Sequence, residues 1–304
     1  MSKPMRYRVE HRNAYRYAEA VGLNFVEARL LPRPTPTQRV LEAHLDIAPA
    51  VDELREREDA YGNRVVWFSL HQPHQALTVT ARCLLQRDEA APATGAEPMP
   101  WEAAVEAMNR AADAETRLAR EFCLASPRVP IDDAFTAYVR ASFPPGRPLA
   151  QALADLATRV RAEFAYRPMA TDLDTPLTEV LEARHGVCQD FAHLCIAGLR
   201  GLGLATRYVS GWLETTPAPD EAPRLGADAS HAWIAVYAPG AGWLDFDPTN
   251  GGACGPGHLT LAWGRDYDDV VPLKGVIFGA GAHGLEVGVT VTRLADADPT
   301  GATS

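Results

Sequence analysis

Apolar residues change their period near residue 100 and change it back near residue 205. Before the first of these points come short runs rich in β-branched and aromatic residues: RYRVEH (6–11), NFVEARLLP (24–32), VLEAHLDIAP (40–49), NRVVWFSL (63–70) and ALTVTARCLL (76–85). Turn signals such as Tyr61-Gly62-Asn63 and the proline-rich PRPTP (32–36) separate them. Several short strands at this spacing predict a small β-sandwich. After residue 100, the stretches 101–122, 131–143 and 148–166 carry apolar residues at intervals of three and four, which predicts three helices. A fourth helical pattern starts at Cys188 and runs to Gly201 or Gly203, either of which can end it. Strand patterns then return in ATRYVSGWLE (205–214), HAWIAVYA (231–238), GWLDFD (242–247) and LEVGVTVTRL (285–294). Helices followed by a sheet predict an α+β core. The chain thus divides into a β-rich region (1–90), a Pro/Ala/Gly linker (91–100), a core (101–295) and a tail (296–304) read as disordered.

Composition narrows the class. The 304 residues are 47% apolar and 22% charged, as in a soluble globular protein with an ample core. A net charge of −10 without basic runs argues against a nucleic-acid or anionic-membrane surface. The sequence has neither a secretory h-region nor an apolar stretch long enough to span a bilayer. Its five cysteines are scattered and lack a CxxC pair, which suits a reducing compartment, so a cytoplasmic location is expected. GLRGLG (198–203) lies at the end of a helix rather than between strand and helix, and no Walker A sequence occurs; no cofactor is expected. The oligomeric state is left open.

Three residues stand at structural junctions. Cys188 follows a Gly-Val turn and opens a largely apolar helix, where unpaired N–H groups and the positive dipole end suit a nucleophile. His231 opens a strand and can serve as general base. Asp247 closes the next strand, held extended by Pro248, and is placed to orient the base. A thiol, an imidazole and a carboxylate so placed are the parts of a nucleophilic acyl-transfer site.

Each has rivals. Asp245 shares a strand face with Asp247, and Asn250 could orient an imidazole instead. His185 is too local to reach Cys188 easily, His193 reads as a core histidine, and His258 sits in a Gly/Pro-rich loop that could line the site. Asp190 reads as an electrostatic partner of the helix start, and Cys195 as core packing, while Cys83, Cys123 and Cys254 have no catalytic context. A zinc site from His185, Cys188, His193 and His231 matches no familiar ligand spacing, so no metal is expected. Gln189 and Tyr166 are candidate donors to an oxyanion.

Several long motifs occur in order: GVCQDFAH (186–193), LRGLGLATRYVSGW (199–212), ADASHAW (227–233), GWLDFDPTNG (242–251) and WGRDYDDVVPLKGV (263–276). They resemble the bacterial transglutaminase-like proteins of the transglutaminase/protease superfamily. HRNAYRY, RLLPRP, DAYGNRV and PHQALTV resemble the β-rich N-terminal region that accompanies this core. The resemblance implies a papain-like α+β core with Cys188 as nucleophile, His231 as base and Asp247, rather than Asp245, as the orienting acid. It further implies that the loop 215–230 frames the cleft. The expected activity is hydrolysis of a peptide or protein amide. Amine-accepting acyl transfer and non-catalytic peptide binding are the alternatives, since the family includes cross-linkers, proteases, amidases and inactive relatives.

Overall fold

The computed structural model describes residues 4–88, 99–111, 113–214, 230–279 and 283–294. The expected tail, nearly all of the loop before His231 and most of the linker lie outside these residues.

The first region is built from β1 (Met5–Val21), β2 (Leu23–Ala28), β3 (Gln38–Ala48), β4 (Glu53–Glu58), β5 (Arg64–Leu70) and β6 (His74–Arg87). Among the described residues six α-helices follow: α1 (Trp101–Arg110), α2 (Ala114–Ala119), α3 (Asp133–Arg140), α4 (Leu149–Glu163), α5 (Leu177–Ala183) and α6 (Cys188–Gly201). The two-residue strands β7 (Ala165–Tyr166) and β8 (His185–Gly186) flank α5. Then come β9 (Thr206–Leu213), β10 (His231–Ala238), β11 (Gly242–Asp247), β12 (Gly252–Ala253), β13 (His258–Gly264), β14 (Leu273–Phe278) and β15 (His283–Leu294). Among the described residues no helix is long and apolar enough to cross a membrane.

Two four-stranded antiparallel sheets, ordered β15-β1-β6-β3 and β14-β2-β5-β4, form the β-rich region. The division drawn from sequence put residues 101–295 in one unit. The pairing places the last two strands elsewhere: β14 aligns with β2 and β15 with β1, so the end of the chain completes the sheets its beginning started. Alternation announces a strand but not its partner, and β15 carries its pattern as well against β1 as it would against the core.

The helical pattern at 101–122 breaks in two. Ala111 adopts a left-handed conformation (φ 43°) and Asp113 caps the second piece by accepting from the Thr116 N–H at 2.7 Å. The short α5 has no counterpart in the sequence expectation; seven residues are too few to show a period.

The core sheet is antiparallel and ordered β12-β11-β10-β9-β13. Ala232, Ile234 and Val236 of β10 join the apolar cluster that holds Phe191, Leu194, Ile196 and Leu199 of α6. The helix ends where Gly203 turns left-handed (φ 85°), which reverses the chain into β9.

Candidate active site

Cys188 is the first residue of α6 and half-buried, its neighbours fixed on both sides. Upstream, β8 pairs in parallel with β7, so Tyr166 lies beside Gly186, two residues before the thiol. Downstream, Asp190 accepts from the Val187 N–H at 2.8 Å and from the Thr171 hydroxyl at 2.6 Å, closing the first turn. Burial raises the pKa of Asp190, and those two hydrogen bonds and His185 oppose the rise. It caps the start of the helix.

The register of β10 and β11 separates the two aspartates. Asp245 pairs with Ala235, and the next pair is Phe246 with Ile234, so Asp247 lies opposite Trp233, diagonal to His231. Asp247 Oδ2 is 2.8 Å from His231 Nε2, whereas Asp245 accepts from the Trp233 indole N–H at 3.1 Å. Both residues of the His231–Asp247 pair are about 1% exposed. Burial alone would lower the His231 pKa, but the Asp247 carboxylate and the Cys188 sulfur raise it above the usual imidazole range. Asp247 is held well below the usual carboxylate range: its burial is outweighed by His231 and by a hydrogen bond from His258.

Nδ1 of His231 is buried without a well-formed hydrogen bond. The Cys188 sulfur is among the neighbours that raise the pKa of the ring. With Nε2 committed to Asp247, Nδ1 is the nitrogen available to exchange a proton with the thiol.

Five donors converge on the Asp247 carboxylate. Oδ1 accepts from the backbone N–H groups of Thr249 (2.9 Å) and Asn250 (3.1 Å), the Asx turn that Asp-Pro-Thr-Asn encodes. Oδ2 accepts from the Asn250 side chain (2.7 Å) and His258 Nε2 (3.1 Å) as well as from His231. Asn250, a candidate to orient the imidazole, binds the acid instead. His258, expected in a Gly/Pro-rich loop that could line the site, instead opens β13, and only the sheet brings it to the acid.

The other candidates separate cleanly. His193 Nε2 accepts from the Tyr267 N–H at 3.1 Å, and burial lowers its pKa to about 3, as for a neutral core histidine. Cys195 is fully buried and its pKa is pushed up by that burial. Gln189 is half-buried and lines a cavity of about 470 Å³ with Asp190 and His193. Among the described residues no group of three or more His, Cys, Asp or Glu side chains is arranged to hold a metal ion.

A helix that begins with cysteine, packed on an antiparallel sheet that carries a histidine–aspartate pair, is the α+β arrangement of the papain-like and transglutaminase-like cores. Residues 7–86 match the bacterial transglutaminase-like N-terminal region, and residues 133–248 match the transglutaminase-like superfamily. An uncharacterised protein of Mycobacterium tuberculosis is 41% identical over 285 residues, 91% of this chain and 89% of its own. One from Mycobacterium leprae is 32% identical over 291 residues, 95% and 99% of the two chains. A protein-glutamine gamma-glutamyltransferase of Pseudomonas aeruginosa is 32% identical over 124 residues, 34% of this chain and 18% of that one. Among solved structures, a candidate cysteine protease from Cytophaga hutchinsonii has the same fold, with a TM-score of 0.74 at 21% identity, covering 98% and 93%. The chain belongs to the transglutaminase-like superfamily.

Proposed function

We propose that this protein is a cysteine-dependent amide-bond hydrolase, a peptidase or amidase acting on a peptide or protein amide through a thioester. One observation carries the reading: a carboxylate fixed by five donors holds one nitrogen of a buried imidazole, and the other nitrogen is left to a thiol at a helix start. His231 takes up the thiol proton, and Asp247 offsets the charge that the ring then carries. The Cys188 thiolate attacks the amide carbonyl carbon. The oxyanion is received by the Cys188 backbone N–H and a second donor, Gln189 or Tyr166. His231 gives its proton to the leaving amine as the C–N bond breaks. Water then attacks the thioester, passes a proton to His231 and releases the thiolate. A free thiol nucleophile suits a reducing compartment, so we assign the enzyme to the cytoplasm.

Amine-accepting acyl transfer is the second reading, favoured by the partial similarity to the glutamyltransferase. Limiting iodoacetamide near pH 6 should modify Cys188 before the other four cysteines; uniform labelling would sink both readings. Glutamine-containing peptides incubated with excess primary amine then separate them by mass spectrometry. Hydrolysis or deamidation with little adduct supports the hydrolase, and predominant amine incorporation replaces it with a transferase. Asp247→Asn should slow turnover about 10²–10⁴-fold, since the ring loses its orientation. Asp245→Asn keeps an acceptor for the Trp233 indole and removes only a charge that faces Arg207 and Arg87, so it should change the rate a few-fold at most; the reverse ranking would refute the assignment of the acid.

A further inference from the structure

His258, at the start of β13, is buried against the proposed acid. Its Nδ1 accepts from the Gly255 N–H at 3.1 Å. A ring nitrogen that accepts carries no proton, so the proton sits on Nε2, 3.1 Å from Asp247 Oδ2. A backbone amide thus fixes His258 as a neutral donor to the same oxygen that serves His231. Neutrality matters here: a second cation would compete with the His231 imidazolium for the carboxylate charge.

The surroundings hold that ring in place. The Trp233 indole stands edge-on to it, centroids 5.4 Å apart at 85°. Gly211 on β9 leaves the room for that indole, since a Cβ there would meet the Trp233 ring at 2.3 Å. The outer edge of β13 is tied by side-chain amides that act as a short strand. Gln38 donates to the Thr260 carbonyl (2.7 Å) and accepts from its N–H (2.9 Å). Asn63 does the same at Trp263, at 2.8 and 3.0 Å.

We propose that His258 is a positioning residue: its Nε2–H fixes Oδ2 of Asp247 so that the oxygen faces His231, and through that pair it sustains the reactive Cys188 thiolate. This rests on the proposed function above. Two substitutions split the two bonds of the ring. His258→Gln puts an amide donor where Nε2 was and keeps the Asp247 bond. His258→Asn puts an acceptor where Nδ1 was and keeps the Gly255 bond only.

The readout is the second-order rate of Cys188 alkylation by iodoacetamide at pH 6, with thermal melts run alongside. The Gln variant should stay within about three-fold of wild type, and the Asn variant should fall about ten-fold or more, the weight of one hydrogen bond to a charged group. In an Asp247→Asn background, His258→Asn should add less than about two-fold, because the two act through one carboxylate. Equal rates in the two variants, a slower Gln variant, or full additivity would overturn the proposal. Should the Asn variant not fold, nitrogen NMR of the wild-type ring decides: protonation at Nε2 alone supports it, and an Nδ1–H tautomer or an imidazolium at pH 7 refutes it. Where wild-type Cys188 alkylates no faster than the other thiols, the hydrolase reading fails and takes this one with it. Where it alkylates first but ignores His258, only this inference fails.

Discussion

Strand β1 of the sandwich alternates buried and exposed residues along most of its length, whereas β9 and β10 of the core sheet are buried at every position. The first has one face toward the opposing sheet and one toward solvent, so its arginines and glutamates sit in water. The second is enclosed, with α6 on one face and a layer of aromatic rings and arginines on the other. A polar side chain there needs a partner or costs several kcal/mol. Arg207 spreads its guanidinium over Trp243 and Trp263, 4.2 and 3.6 Å from the ring centroids, and Thr206 donates to the Leu204 carbonyl at 3.1 Å. His231 reaches Asp247. Polarity on the sandwich strands is ordinary solvation; polarity on the core sheet marks structure under demand, and the candidate site lies where those demands meet.

The sharpest way to break this contrast is to add one methyl group to each region. In β9, a Cβ on Gly211 would meet the Leu259 carbonyl oxygen and the Trp233 ring, both at 2.3 Å. In β15, a Cβ on Gly288 would meet nothing within 4 Å. Gly211→Ala should therefore cost about 3 kcal/mol or more by urea unfolding. Gly288→Ala should stay within about 0.5 kcal/mol, on either side of zero. Similar losses at both positions would mean that the two regions are packed alike.

The same contrast explains what the sequence made legible. The sandwich strands could be read because half-buried strands alternate, and the motifs around Cys188, His231 and Asp247 could be read because each lies at the end of an element. The preference for Asp247 over Asp245 rests on Pro248 and the family resemblance, and the register of β10 and β11 brings Asp247, not Asp245, to His231. Less legible were relations between distant segments. Neither Gln38 nor Asn63 hints in its own neighbourhood that it completes the edge of β13, more than 200 residues away in sequence for Gln38. The return of β14 and β15 to the first sheets was equally hidden, because pattern fixes an element's face but not its partner.

A smaller effect tests the junction between the regions. Gln38 is about 1% exposed and exchanges two hydrogen bonds with the Thr260 backbone while donating to the Arg33 carbonyl at 2.9 Å. Gln38→Ala leaves a buried N–H and C=O of β13 without partners, a loss of about 2 kcal/mol. Gln38→Glu keeps the acceptor but turns a donor toward two carbonyls into a carboxylate oxygen, and should be at least as damaging. If urea midpoints of both variants match wild type, the sandwich does not brace β13.

The smallest effect concerns two buried histidines, one on each side. His11 on β1 accepts at Nδ1 from the Trp212 indole N–H at 3.1 Å, and burial lowers its pKa to about 4. His193 on α6 is lowered to about 3, also by burial. Each is neutral when folded, while the unfolded ring takes up a proton near pH 6.5. The unfolded state therefore binds more protons below that pH. The stability each ring contributes is complete above pH 6.5 and is lost as pH falls toward the folded value. Between pH 6.5 and 5 that amounts to about 1.5 kcal/mol per ring. His231, raised rather than lowered, acts in the opposite sense but above pH 6.5, outside this window. His11→Asn puts an acceptor for Trp212 where Nδ1 was and removes the titration, so its loss of stability between pH 6.5 and 5 should be smaller than wild type's by about 1.5 kcal/mol. A single urea transition carrying that difference shows the sandwich and the core unfolding together, and an unchanged slope would place the His11 ring in contact with water.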